Sequence, residues 1–207
     1  MTSLTVRLSR VLKLADLKLP KRPRAVLALG VLALAVAGCG RTTLTGVTQD
    51  QLSAGAEPYF NVGPVTYQVQ ISRALNPFDS EDVQYLAGVK GAQNLAPNQL
   101  WYGVFLWAKN QSGKLQRSVS RFELEDSSGR IYQPTPLNPS INPYAWTSQV
   151  LSQNEIQPAL DTTAGDGPTG GEVILFKVDQ SIYSNRPLTL LIFAPGSTKP
   201  SRVSLDL

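Results

Sequence analysis

An all-β domain is what the sequence predicts, an antiparallel β-sandwich over residues 64–207, and three observations predict it. Apolar residues recur at every second position, the spacing of a strand that buries one face. Gly, Pro, Asn and Asp gather between those segments, where each favours a turn for its own stereochemical reason. No amphipathic helical period of useful length runs through the same region.

The elements follow in chain order. In Val65–Ser72, Val65, Tyr67, Val69 and Ile71 fall on one face of a strand. Residues 76–99 read as a loop region with a short helix over 79–87, which Asp79 or Ser80 would cap. Leu100–Lys109 is a second strand, ended by the turn-forming run Asn110-Gln111-Ser112-Gly113. Ser118–Asp126 alternates with Phe122 and Leu124 inward, and Ser127-Ser128-Gly129 turns it into Ile131-Tyr132. Pro134, Pro136, Pro139 and Pro143 exclude central strand and continuous helix from 133–147. Gly171–Val178 and Leu188–Phe193 are further strands, and Arg202–Leu207 closes the chain with Val203, Leu205 and Leu207 in phase. About seven short strands with turns between them form the pattern of an immunoglobulin-like sandwich.

The N-terminus has a different character. Residues 1–24 carry seven basic residues against one acid, Asp16, and 25–37 form the uncharged apolar run AVLALGVLALAVA. Val36-Ala37-Gly38-Cys39 follows. A basic segment, an apolar segment of this length and a small-residue cleavage site make a secretory signal over 1–38. The apolar run is short of the roughly 20 residues that a membrane span needs. Val36-Ala37-Gly38-Cys39 resembles the lipobox of bacterial lipoproteins. That resemblance implies a diacylglyceryl group on the Cys39 thiol and cleavage before it, and Cys39 is the sole cysteine of the chain. Residues 39–63, rich in Thr, Gly, Gln, Ser and Ala, read as the lipidated cysteine and a flexible tether.

The charge balance changes once the signal is set aside. The chain has 19 basic and 15 acidic residues; with seven and one of these in 1–24, twelve remain against fourteen beyond Cys39. Those twelve are scattered, which is not a nucleic-acid footprint. An acylated Cys39 leaves no thiol for a disulfide, a thiolate metal site or a nucleophile. Stability must come from burial, which a domain of about 140–150 residues can supply.

The strands also carry a family resemblance. Tyr102-Gly103-Val104-Phe105-Leu106 with Lys109-Asn110 precedes Phe122-x-Leu124-x-Asp126-x-x-Gly129-x-x-Tyr132-x-Pro134. This cadence resembles the secreted immunoglobulin-like (telokin-like) domains of bacterial lipoproteins, a group of unknown function. Asn142-Pro143-Tyr144-Ala145-Trp146, Leu175-Phe176-Lys177 and Asn185-Arg186-Pro187-Leu188 resemble an actinobacterial subgroup. The resemblance spans 64–207 and implies a fold and a location, with no activity and no catalytic residues. On physical grounds Asp126 reads as a turn residue, since Asp accepts backbone N–H bonds and Gly129 takes positive φ.

Few residues of the chain could carry chemistry. The chain has no histidine, which removes Ser-His-Asp and Cys-His arrangements and the commonest metal ligand. Its one methionine is Met1, so no soft copper site is expected. Gly165-Asp166-Gly167-Pro168-Thr169-Gly170-Gly171 lacks the Lys-Ser/Thr of a phosphate loop and precedes a strand. Glu123 and Glu125 share the outer face of one strand, whereas a glycosidase pair sits across a cleft. Asp79, Glu81 and Asp82 lack calcium-loop spacing and read as a helix start or solvated loop. Neither a metal nor a cofactor is expected.

One strand is apolar on both faces. Tyr102, Val104, Leu106 and Ala108 make one face of Leu100–Lys109; Trp101, Phe105 and Trp107 make the other. Two readings follow. Residues 133–147 or 76–99 fold over the second face, with Tyr144 and Trp146 packed on Trp101, Phe105 and Trp107, as monomers rarely leave large apolar patches bare. Alternatively these five aromatics form a binding face for an envelope protein or a cell-wall glycan. Phe105 is expected to be buried and Trp101 to be the more exposed tryptophan. The functional expectation is a non-catalytic binding or accessory module of the cell envelope, held by lipid on the extracytoplasmic side of the cell membrane, with no nucleic-acid partner. The alternatives are a carboxylate-dependent hydrolase of envelope polymers and a purely structural envelope protein.

Overall fold

A computed structural model of the chain describes residues 59–205. The signal segment 1–38, Val36, Ala37, Gly38, Cys39 and Leu207 lie outside the described residues. Within them the fold is all-β: β1 (Tyr59–Val62), β2 (Val65–Leu75), β3 (Gln99–Asn110), β4 (Gln116–Arg117), β5 (Arg121–Glu125), β6 (Ile131–Tyr132), β7 (Val150–Leu151), β8 (Ile156–Gln157), β9 (Glu172–Asp179), β10 (Thr189–Phe193) and β11 (Ser201–Ser204). All seven predicted strands are present. The other four, β1, β4, β7 and β8, have two to four residues each; β4, β7 and β8, at two residues, are too short for alternation to reveal.

Two antiparallel sheets form a sandwich and do not close into a barrel. The larger runs β1-β2-β3, with β3 sharing its far edge between β8 and β9; the smaller runs β11-β10-β5-β6. Val65, Tyr67, Val69, Val104, Leu106, Ile174 and Phe176 of the larger sheet join Phe122, Leu124, Leu190, Ile192 and Val203 of the smaller in one buried core. The predicted inward sets of β3, β5 and β11 are therefore the ones that meet.

Three expectations need correction. The predicted tether, 39–63, includes a strand: β1 pairs with β2 from Tyr59↔Gln68 to Val62↔Val65. Gly63 makes the hairpin at φ +61, a conformation that costs glycine no Cβ clash. Ile71 does not share a face with Val69. A bulge at Gln70 shifts the register between Val69↔Leu106 and Ile71↔Phe105, so Ile71 turns outward and is 39% exposed. The helix predicted over 79–87 is a single 3-10 turn, Val83–Leu86, whose N-cap Asp82 makes no side-chain cap. Asp82 is instead drawn into an ion pair with Arg73 at 2.5 Å and accepts the Asn76 amide at 2.8 Å.

Buried asparagines and aspartate fix the connections. Asn110 is fully buried; its Nδ2 donates to the carbonyls of Lys114 and Leu151 at 2.7 and 2.9 Å, and its Oδ1 accepts the Ser112 amide at 2.9 Å. Asp126 holds the β5–β6 turn as predicted, its Oδ1 accepting the Ser128 and Arg130 amides, both at 3.0 Å. Tyr132 Oη and Asn185 Nδ2 donate to the other oxygen at 3.3 Å. Burial pushes this carboxyl up, but the bonds from Ser128, Arg130 and Asn185 outweigh it and hold its pKa below the ordinary value.

Candidate binding site

The outer face of the larger sheet is divided into a covered part and an open part. Tyr85 and Leu86 of the 76–99 segment, Tyr144 of 133–147, and Ala164 form a second buried cluster with Leu75, Trp101, Phe105, Val173 and Leu175. Tyr85 meets Phe105 edge-on at 4.7 Å and Tyr144 at 4.8 Å. Trp101 donates its Nε1 to the Ala92 carbonyl at 2.8 Å and carries the Lys177 ammonium 5.4 Å above its ring. Both Trp101 and Phe105 are buried, at 2% and 0% exposure. Both segments named in advance thus contribute to the cover.

The five aromatics expected to share a binding face do not do so. Trp101, Phe105 and Tyr144 are buried beneath or within the cover. Trp146 lies against the main core instead, edge-on to Phe122 at 5.8 Å, with its Nε1 donating to the Val119 carbonyl at 2.8 Å. The expected order of the tryptophans is reversed: Trp101 is enclosed and Trp107 is the partly exposed one. The reason is the position of the cover, which lies over the Trp101 end of β3 and stops before Trp107.

Past that limit the sheet presents a shallow, open groove lined by Tyr59, Asn61, Thr66, Trp107, Lys109 and Gln111. Pleating and register place these side chains. Tyr59↔Gln68 and Gln68↔Trp107 form one cross-strand row; Asn61↔Thr66 and Thr66↔Lys109 form the next. Alternate residues of β1 are buried, so Phe60 and Val62 enter the core while Tyr59 and Asn61 face outward. Tyr59 is 44% exposed and meets Trp107 edge-on at 5.9 Å. Thr66 donates its hydroxyl to Asn61 Oδ1 at 2.7 Å, which orients that amide. Tyr59, Asn61 and Lys109 were not foreseen as site residues. The signal for the first two is the alternation Tyr59-Phe60-Asn61-Val62 before Gly63-Pro64, a hairpin arm hidden at the end of a polar segment.

Four carboxylates form ion pairs away from this groove, and Asp161 and Asp166 line a separate open pocket with Tyr144. Glu123 pairs with Arg121 at 2.9 Å, Glu125 with Arg202, Asp179 with Arg130, and Asp82 with Arg73. Asp79 accepts the Glu81 amide at 2.8 Å, a turn contact. Among the described residues no group of three or more His, Cys, Asp or Glu could hold a metal ion. Glu172, at the start of β9, is half-buried, and among the described residues it is the carboxyl whose pKa is raised. Burial pushes it up, against hydrogen bonds from Gln157 and the Thr147 amide. Gln157 Nε2 donates to Glu172 Oε2 at 2.6 Å and to the Thr147 carbonyl at 2.9 Å, while its buried Oε1 has no partner among the described residues.

No family model and no curated protein matches the chain. Two solved structures are similar to it. The yjhA protein from Bacillus subtilis is 10% identical, with a TM-score of 0.40, the match covering 72% of this chain and 96% of that one. A conserved hypothetical protein from Bacillus anthracis is 9% identical, with a TM-score of 0.42, over 70% of this chain and 93% of that one.

Proposed function

We propose that this chain is a non-catalytic binding or accessory module of the cell envelope, anchored by lipid at Cys39 on the extracytoplasmic side of the membrane. The observation that carries the binding role is the groove between Tyr59 and Trp107, where two aromatic rings stay accessible on a sheet whose remaining aromatics are covered. Aromatic side chains left partly bare are favoured as binding anchors. The non-catalytic reading is supported by the pairing of Glu123, Glu125, Asp82 and Asp179 with separate arginines; a hydrolase of this kind needs two carboxyls converging on one pocket, and the pair that shares one, Asp161 and Asp166, lies on an open loop pocket beside Tyr144. The anchor is supported by Val36-Ala37-Gly38-Cys39 after an apolar run. The telokin-like cadence around Asp126 supports an immunoglobulin-like lipoprotein domain.

Two measurements test this. Palmitate labelling and membrane fractionation should mark the wild type and lose Cys39→Ser from the membrane fraction. Wild-type protein should also be retained by washed cell envelopes stripped of their own copy, and a Tyr59→Ala/Trp107→Ala double variant should not. Retention that ignores the double variant would remove the groove from the function.

A further inference from the structure

We propose that the groove between Tyr59 and Trp107 binds a carboxylate-bearing polysaccharide; this deepens the binding role above and rests on it. Three features of the groove select that class. The first is shape. Sites for small molecules enclose most of their ligand in a concavity, whereas this groove is shallow, open and laid across β1, β2 and β3. An extended chain fits such a surface, since each unit needs only one face in contact.

The second feature is the pairing of aromatic and polar groups. Tyr59 and Trp107 stand at 60° to each other, so their rings form two walls rather than one flat apolar platform. An aromatic face is the negative side of the ring quadrupole and attracts the polarised C–H face of a pyranose. Asn61 and Gln111 bring amide groups to the same groove, able to meet the equatorial hydroxyls of a sugar, and the buried Thr66 hydroxyl is spent on orienting the Asn61 amide. A protein hot spot would be expected to close around a dry apolar centre, and this groove has polar groups in its floor.

The third feature is charge. Lys109 is the only ionic residue lining the groove among the described residues. The nearby Glu155 carboxylate is turned to the Ser152 amide at 2.6 Å, within its own turn. The groove therefore presents one cation beside two aromatic walls. A uronate, or a sugar bearing a carboxylated ether, supplies the complementary anion one substituent away from its C–H face. Lys109 lies on β3 two residues beyond Trp107, so the same strand holds the ring contact and the ion pair on one face.

Detergent-solubilised full-length protein should be measured by interferometry on immobilised polygalacturonate and on its methyl ester, which keeps the backbone and removes the charge. The wild type should prefer the acid by about five- to tenfold, the worth of one charge-assisted contact. Lys109→Gln should bind the two polymers equally. Tyr59→Ala and Trp107→Ala should weaken both by about tenfold or more, with cooperative urea melts showing that each variant is folded. Equal affinity of the wild type for acid and ester, an acid preference that survives Lys109→Gln, or no binding to either polymer overturns the inference. If neither polymer binds but envelope retention still depends on Tyr59 and Trp107, the occupant is a protein and the broader binding role stands. If retention is also indifferent to them, both fall.

Discussion

Asn142 donates its Nδ2 to the carbonyl of Tyr85 at 2.9 Å, and this bond joins the two segments that cover the outer face of the larger sheet. The same side chain reaches the Ala87 carbonyl at 3.4 Å and accepts the Tyr144 amide at 3.0 Å. Asn142 is fully buried, so every lost partner is left without water to replace it. Asn142→Ala should cost about 2–4 kcal/mol, the penalty for several buried groups left unpaired. Urea melts measure the loss, and acrylamide quenching of Trp101 fluorescence should rise as the cover loosens. A loss under about 0.5 kcal/mol, the level of an ordinary surface change, would mean that the cover does not depend on this residue.

The two tryptophans of β3 should respond oppositely to truncation. Trp101→Ala empties a site closed by Ala92, Lys177 and the second cluster, and should cost about 3–5 kcal/mol. Trp107→Ala removes a partly exposed ring and one edge contact with Tyr59, and should cost roughly 1–2 kcal/mol. Denaturant melts of the two variants give the comparison directly. Equal losses would contradict the division of the sheet into covered and open parts.

Most of the sandwich is readable in the sequence because its long strands obey period two. Val104 and Leu106, or Phe122 and Leu124, announce their faces from spacing alone. What spacing could not announce was a bulge. Ile71 continues the pattern of Val65, Tyr67 and Val69, yet one extra residue at Gln70 turns it to the other side. The candidate groove was hidden for a related reason. Trp101 and Trp107 are equivalent by alternation, and only the end point of a segment distant in sequence separates them. Tyr59 and Asn61 fall in a four-residue strand behind a tether-like composition. Burial by a loop is a tertiary fact with no local period, so the two readings of the second face could be stated in advance but not decided.

Asp126 gives a pH dependence of defined sign. Its folded pKa lies below the ordinary carboxylate value of 3.8. Its contribution to stability is present above that value and is lost as pH falls through the folded pKa. Asp126→Asn should therefore destabilise by about 2 kcal/mol at pH 7, where hydrogen bonds to a charged acceptor are lost. The gap between variant and wild type should narrow on acidification below about pH 4, the ordinary aspartate range. Paired urea melts across pH 2.5–7 check both statements, and a gap independent of pH would show that the ionised form has no special role in the turn.

Glu172 should show the opposite sign. Burial raises its folded pKa above the ordinary 4.5, so the native chain holds this proton longer than the unfolded chain does. Stability from this group is greatest at low pH and declines as pH rises from about 4.5 through the folded pKa. Glu172→Gln removes the ionisation while its side-chain carbonyl can still accept from Gln157 Nε2, the bond that now runs at 2.6 Å. Below pH 4 the variant and the wild type should melt alike, within about 0.5 kcal/mol, because both side chains are then neutral. Above pH 7 the variant should be the more stable by on the order of 1 kcal/mol, since a half-buried carboxylate is no longer being ionised. Melts at intermediate pH should place the change between those limits. A variant that is less stable than the wild type at pH 7, by a margin that grows as pH rises, would show that the bonds from Gln157 and Thr147 outweigh burial and that the Glu172 pKa is lowered rather than raised.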